Sequence, residues 1–91
     1  MAKLTEKQIT AGLQTIKGWK RAGDTITKTV KKKDFIHAMG FVQGVALVAE
    51  KMNHHPDIAI QWNTVTLTLT THSMGGLTAL DFECAKTINK V

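Results

Sequence analysis

The stretch Glu50-Lys51-Met52-Asn53-His54-His55-Pro56-Asp57 decides where a long helix ends and where the next strand begins. Proline has no backbone N–H and disfavours helical geometry in the residue before it, so a helix should stop before Pro56. Both imidazoles therefore lie at a helix end, close to the carboxylates of Glu50 and Asp57. A third histidine, His72, ends a strand-like run further along the chain. The three histidines form a candidate site if the two segments meet.

The residues before this stretch predict a helix from about Asp34 to Asn53. Asp34 suits its N-terminus by capping and by charge. The predicted apolar stripe consists of Phe35, Met39, Val42, Ala46, Ala49 and Met52, widened by Phe41, Val45 and Val48. A helix this broadly apolar must bury two sides. We expect one side to pack on a sheet and the other on a partner helix, from this chain or from another subunit.

The residues after the stretch predict two strands. Residues 58–62 alternate in character, and residues 65–72 alternate almost perfectly between apolar side chains and threonine. This alternation puts His72 on the threonine face of its strand and not in the core. Asn63-Thr64 is the predicted tight connection between the two strands.

The beginning of the chain predicts one helix and a hairpin. Thr5 and Gln8 form a capping box for a helix that should reach about Ile16. Strands over residues 19–22 and 25–30 then flank Gly23-Asp24, the predicted two-residue turn.

The end of the chain predicts a third helix, which begins at Thr78 with Asp81 in a second capping box. The resulting order, αββαββα, predicts an α+β fold with a four-stranded antiparallel sheet and helices packed on one face. We expect residues 1–91 to form a single domain.

Composition narrows the classes of function. The chain has 91 residues, of which 43% are hydrophobic and 21% charged, so it can bury a modest core and is not disordered. Its net charge of +5 includes Lys31-Lys32-Lys33, but no aromatics interleave and no nucleic-acid motif is visible, so we predict no direct nucleic-acid binding. Cys84 is the single cysteine, and no apolar run approaches a membrane span. We expect a cytoplasmic protein without membrane contact.

The histidines favour proton chemistry over metal binding. His54, His55 and His72 are possible ligands, but there is no His-x-x-x-His and no cysteine pair, so we predict no metal and no cofactor. Imidazoles titrate near neutral pH, so several in one cleft can donate and accept protons, and Glu50 can orient a ring. From the residues alone, histidines acting as caps and surface polar groups remain an open alternative.

The spaced set of Glu50, His54-His55-Pro56, Trp62, His72 and Asp81 resembles the signature of the pterin-4a-carbinolamine dehydratases. Three other stretches are also similar to the family: Gly18-Trp19, Lys33-Asp34-Phe35, and residues 39–51. The resemblance covers essentially the whole chain.

The resemblance implies a reaction in tetrahydrobiopterin recycling, in which a 4a-hydroxytetrahydropterin loses water to give quinonoid dihydropterin. It implies that His54 and His72 donate and accept the protons at the 4a-hydroxyl. His55 is expected to contact the pterin and to share the proton work. Glu50 and Asp81 fit as supporting carboxylates that bind at the substrate site.

Two aromatic residues have simpler alternatives. Trp19 is either a core aromatic or a wall that stacks on the flat pterin, and we include it among the expected substrate contacts. Trp62 matches the aromatic of the signature, or it is an ordinary strand residue.

Two further positions, Asn53 and Leu80, stand where animal members often carry an aspartate and an arginine. These changes bear on pterin-binding strength and preferred substrate, not on the proton chemistry.

The resemblance also implies a second possible role. Animal members of the family act as dimerisation cofactors of a homeodomain transcription factor through a helical surface. The wide apolar face of the second helix suits such an interaction module, and it suits self-association equally. We expect a homodimer or a homotetramer.

Overall fold

The computed structural model describes residues 2–91, so Met1, the first residue of the predicted domain, lies outside the described residues. The elements are α1 (Glu6–Leu13), β1 (Lys20–Ala22), β2 (Thr25–Lys31), α2 (Phe35–Met52), β3 (Asp57–Gln61), β4 (Thr64–Leu69), a 3₁₀ turn (His72–Met74) and α3 (Ala79–Ile88). The sheet has the strand order β1-β2-β4-β3, and every neighbouring pair is antiparallel. The predicted α+β fold is confirmed.

Strand β4 shows which face of the sheet the helices cover. Val65, Leu67 and Leu69 have no exposed surface, whereas the threonines between them are half-buried. Because successive side chains point to opposite faces of a strand, the apolar residues face the helices and the threonines face outward. Ile26 of β2 lies opposite Leu69 and is equally buried. The core therefore lies between one face of the sheet and the helices.

Both predicted capping boxes are present. The Thr5 side chain accepts from the Gln8 N–H, and the Gln8 side chain accepts from the Thr5 N–H. Helix α1 ends at Leu13, earlier than predicted, because Thr15 N bonds to the carbonyl of Gly12 in a tighter turn. Thr78 and Asp81 form the box of α3.

Helix α2 begins and ends as predicted, but its buried face differs from the predicted stripe. Ala38, Val45 and Ala49 are buried, while Phe35 and Met39 are 51% and 45% exposed. Apolar side chains surround much of the helix, so the pattern does not determine which side faces the sheet. We call the exposed apolar residues the outer face of α2: Phe35, Ile36, Met39 and Leu47.

The β3–β4 turn is shifted by one residue from the predicted position. It comprises Trp62 and Asn63, and Trp62 has a φ of 52°. Asn63 is fixed because its side-chain amide donates to the carbonyl of Lys32 at 3.0 Å, and its own carbonyl accepts from the Lys32 N–H at 2.8 Å. This anchoring makes Asn63 the second residue of the turn and leaves Thr64 as the first residue of β4.

Candidate functional site

The end of α2 sets the direction in which the histidine pair leaves the helix. Asn53 adopts the left-handed conformation, with φ 51° and ψ 43°. Its N–H bonds to the carbonyl of Glu50 at 3.3 Å, and the His54 N–H bonds to the carbonyl of Ala49 at 3.1 Å. This pair of bonds is a Schellman motif, in which asparagine is one of the few residues tolerated besides glycine. His54 therefore has a fixed backbone position at the helix end.

A buried carboxylate holds the ring of His54. Its Nε2 lies 2.5 Å from Oδ1 of Asp81, and the two side chains are 11% and 0% exposed. The other carboxylate oxygen, Oδ2, accepts from the backbone N–H of Thr78 at 2.9 Å and from the hydroxyl of Thr71 at 2.8 Å. One carboxylate thus caps α3 and orients the histidine at the same time.

The second histidine has an exposed partner. Nε2 of His55 lies 2.5 Å from Oε2 of Glu50, and the side chains are 55% and 77% exposed. A polar contact so open to water contributes little to stability. Glu50 precedes His54 by four residues, one helical turn, but its partner in the structure is His55, because the chain has left the helix at Asn53.

His72 meets the histidine pair at one cleft. It is the first residue of the 3₁₀ turn and not the last residue of a strand, since β4 ends at Leu69. An isolated antiparallel bridge between Thr71 and Gly76 closes the loop that carries it. The cleft has a volume of about 300 Å³ and is lined by Asn53, His54, His55, Thr70, Thr71, His72 and Ser73.

Three expected substrate contacts lie outside this lining. Trp19 is a core residue, 6% exposed, and its Nε1–H donates to Oδ1 of Asn89 at 2.9 Å, so the expected stacking role is corrected. Asp81 has no exposed surface and reaches the cleft only through His54, which corrects its assignment as a direct substrate contact. Glu50 is exposed beside the cleft and bonded to His55.

Trp62 lies at the other end of the sheet from the histidines. It follows the last residue of β3, whereas the histidine pair precedes the first, and it is 66% exposed. Five strand residues span about 16 Å, so Trp62 does not reach the cleft. Its match to the signature does not reflect a contact within this chain.

The ring nitrogens that remain free define what the cleft can do. Nε2 of His54 and Nε2 of His55 are both taken by carboxylates, which leaves Nδ1 of each ring for a ligand. Within residues 2–91, every buried side-chain nitrogen or oxygen has a hydrogen-bond partner. Nδ1 of His54 makes no such bond within this part of the chain, so it is open to solvent, and His54 is one of the residues that line the cleft. The arrangement suits proton transfer at neutral pH.

Other chemistries have less support among the described residues. No group of three or more histidine, cysteine, aspartate or glutamate side chains in residues 2–91 is placed to hold a metal ion. Burial raises the pKa of the Cys84 thiol to about 11, with a further contribution from the negative charge of Asp81, so this thiol is not an activated nucleophile. A second groove of about 320 Å³, between α1 and α3, contains no histidine.

Sequence reasoning missed Thr71, which contacts Asp81 and lines the cleft. The signal is the pair Thr70-Thr71, which breaks the alternation of β4 just before His72. Thr71 stands at a position where the alternation predicts an apolar side chain on the buried face. Its side chain is turned towards that face, and Thr71 is 6% exposed.

Known proteins similar to this chain agree on one family. The sequence profile described as "Pterin 4 alpha carbinolamine dehydratase" matches residues 2–91. A protein of Nocardia farcinica, provisionally named a pterin-4-alpha-carbinolamine dehydratase, is 47% identical over 88 residues, covering 97% of this chain and 93% of that protein. A protein of Sulfurisphaera tokodaii with the same provisional name is 47% identical over 91 residues, covering 100% of this chain and 98% of its own length.

A solved structure shares the fold closely. The crystal structure titled a transcriptional coactivator/pterin dehydratase from Brucella melitensis superposes with a TM-score of 0.92 at 40% identity, covering 97% of this chain and 96% of that one. In the described residues, no helix combines the length and the apolar character needed to cross a membrane. The matched profile, the two relatives and this structure establish that the chain belongs to the pterin-4-alpha-carbinolamine dehydratase family.

Proposed function

We propose that the chain dehydrates a 4a-hydroxytetrahydropterin to quinonoid dihydropterin and water, in tetrahydrobiopterin recycling. The observation that carries the proposal is the cleft in which His54, His55 and His72 meet, two of them held by carboxylates. Family membership indicates the pterin as the substrate. The cleft supplies the proton donors and acceptors that an elimination of water needs.

The reaction is a proton-balanced elimination. A base takes the proton from the ring nitrogen next to C4a, and the electron pair of that N–H bond forms a C=N double bond. The C4a–O bond breaks, and an acid gives its proton to the departing oxygen, which leaves as water. His54 and His72 perform these two transfers, and His55 contacts the pterin and assists. No electron is transferred, so no redox partner is required.

The test is a dehydratase assay coupled to an aromatic amino-acid hydroxylase that produces the substrate. Purified protein should accelerate the loss of the 4a-hydroxy adduct's absorbance. We expect His54→Ala and His72→Ala each to lower kcat by about 10²- to 10⁴-fold, the usual contribution of a positioned acid or base. If both variants fold and keep the wild-type rate, the site assignment is wrong.

A matched control is available in the fourth histidine. His37 lies in the first turn of α2, bonded to Asp34, and its side chain is 57% exposed. It lies roughly 20 Å along the helix from the cleft end. We expect His37→Ala to leave the dehydratase rate unchanged.

We also propose that the chain forms a homodimer or homotetramer through the outer face of α2. Ile36 is 79% exposed and Leu47 68% exposed, and apolar side chains this open are typical of surfaces that another helix covers. Light scattering should show an oligomer for the wild type and smaller species for Ile36→Asp. Lys7→Asp, an exposed position on α1, serves as the control. A strictly monomeric wild type would contradict this proposal.

The alternative function is an interaction module. It is favoured by the outer face of α2, and by the similar Brucella melitensis structure whose title includes transcriptional coactivator. A chain that self-associates but shows no dehydratase rate above its His54→Ala variant would favour this alternative.

A further inference from the structure

The chain of hydrogen bonds behind His54 has a defined direction. The Thr71 hydroxyl lies 2.8 Å from Oδ2 of Asp81 and 2.8 Å from the hydroxyl of Thr78. An ionised carboxylate only accepts hydrogen bonds, and a threonine hydroxyl carries a single hydrogen. Thr71 therefore donates to Asp81, and Thr78 donates to Thr71. Both threonines are buried, at 6% and 0% exposure, so water does not substitute for either bond.

The same reasoning fixes the proton on His54. Oδ1 of Asp81 must accept from the ring, so Nε2 of His54 carries the hydrogen. In the neutral imidazole the other nitrogen, Nδ1, then has a free lone pair, and this nitrogen is open to solvent on a residue that lines the cleft. A ring in this state can take a proton at Nδ1 and cannot give one from it.

We propose that Thr71 is a positioning residue which, through Asp81, holds His54 as its Nε2–H tautomer with Nδ1 as the general base. This assignment rests on the proposed dehydratase function for its catalytic part. Nδ1 of His54 takes the ring N–H proton of the pterin, and the resulting imidazolium is stabilised by the adjacent Asp81 carboxylate. His72 is then the acid that protonates the leaving oxygen.

Thr71 also fixes the segment that carries His72. Its backbone N–H bonds to the carbonyl of Gly76 at 3.1 Å, and its carbonyl accepts from Met74 N–H at 3.0 Å. These bonds close the loop around the 3₁₀ turn, while the side chain is bonded to Asp81. Thr71 therefore fixes the position of His72, the proposed acid, relative to His54, the proposed base.

The first measurement concerns the wild-type protein and requires no variant. Two-bond ¹⁵N–¹H correlation spectra distinguish the tautomers of a neutral histidine. We expect the His54 signals to report the Nε2–H form. A neutral His54 with its hydrogen on Nδ1 would overturn the proposal, whatever the dehydratase rate proves to be.

The second measurement compares Thr71→Val with Thr71→Ser. Valine removes the hydroxyl at nearly constant volume, whereas serine keeps it. We expect Thr71→Val to lower kcat by about 10-fold or more with a small change in KM, and to weaken the Nε2–H tautomer signal of His54. Thr71→Ser should keep kcat and the tautomer signal at their wild-type values. The control is Thr68→Val, the same substitution on the outward face of β4, which should change neither quantity.

The outcomes separate this inference from the proposed function. A wild type with the Nε2–H tautomer but no dehydratase activity supports the hydrogen-bond chain and refutes the proposed reaction. A folded Thr71→Val variant with wild-type kcat and an unchanged tautomer refutes the positioning role, even if the dehydratase activity is real. If Thr71→Val does not fold, Thr71→Ser must still keep the wild-type tautomer and rate, and loss of either overturns the role.

Discussion

Replacing Asp81 by asparagine separates the two tasks of this side chain. In the wild type, Oδ1 accepts from His54, and Oδ2 accepts from Thr71 and Thr78. The amide of asparagine has nearly the same shape but offers one acceptor oxygen and one donor NH₂ group. We expect the oxygen to keep the two donors at Thr71 and Thr78, because both are buried. The NH₂ group then faces Nε2 of His54, which must become an acceptor.

The magnitude follows from this exchange of partners. Exchanging the charged hydrogen bond to His54 for a neutral one, with the cap kept, should cost about 1–2 kcal/mol of unfolding free energy. Asp81→Ala leaves three donors without a partner, at about 1–3 kcal/mol each, so it should cost at least about 3 kcal/mol. In Asp81→Asn the hydrogen of His54 moves to Nδ1, which removes the lone pair from the cleft. A base in the wrong tautomer should lower kcat by about 10²- to 10⁴-fold.

Urea unfolding and the coupled dehydratase assay measure the two effects on the same preparations. Asp81→Asn should lose most of its activity while remaining largely folded, and Asp81→Ala should lose both. The reasoning fails if Asp81→Asn has a wild-type unfolding midpoint and a kcat within about twofold of wild type. It also fails if the two variants lose activity only in proportion to the unfolded fraction.

Three other predictions concern the support of the site. In Gly12→Ala the added Cβ would lie 2.7 Å from a ring carbon of Phe82. The resulting overpacking should cost about 1–3 kcal/mol of unfolding free energy, which outweighs a gain of about 1 kcal/mol in helix propensity. We therefore expect a lower urea midpoint. Asn53→Ala places a Cβ-bearing residue without a polar side chain at φ 51° and should destabilise by about 1 kcal/mol relative to Asn53→Gly in the same assay. Because the folded-state pKa of Cys84 is raised from 9.0 to about 11, its contribution to stability is fully present below pH 9 and is lost as pH rises through 11. Native protein should therefore resist thiol reagents at neutral pH, unfolded protein should react at once, and Cys84→Ala should show a shallower alkaline loss of stability.

The elements that follow from local sequence were predictable. The capping boxes at Thr5 and Thr78 depend on contacts three residues apart, and both are present. The alternation of β4 predicts its buried and open faces because side chains in a strand alternate. The proline after the histidine pair predicts the end of α2 to within a residue.

The features that depend on distant contacts were less predictable. Helix α2 is apolar on most sides, so only the packing of the complete fold determines that Ala38 is buried and Phe35 is exposed. Trp19 precedes a short strand in sequence, but its position in the core depends on Asn89 at the other end of the chain. Thr71 has no role that its neighbours in sequence reveal, because both of its hydroxyl partners lie in or next to the first turn of α3.

Local sequence explains only the capping role of Asp81. An aspartate three residues after a threonine is sufficiently explained by the end of a helix, so its expected place at the site came from the family resemblance alone, and its contact with His54 was not predicted. The structure shows that the cap uses one oxygen and leaves the other for His54. A carboxylate that already stabilises a helix end has its position fixed by the backbone, and this makes it a rigid support for the His54 ring.

The two histidine–carboxylate pairs differ in burial and in rigidity, so we expect the two histidines to have different roles. His54 and Asp81 are almost completely buried, and Asp81 is held by two further donors, so this ring has little freedom to move. His55 and Glu50 are exposed, and the glutamate has a long side chain held by no other hydrogen bond in the described residues. Proton transfer requires a reacting nitrogen held in place, whereas contact with a ligand tolerates adjustment.

We therefore expect His54→Ala to lower mainly kcat. In the same assay, His55→Ala should raise KM with a smaller effect on kcat. If His55→Ala lowers kcat as far as His54→Ala does and leaves KM unchanged, this division between a rigid and an adjustable histidine is wrong.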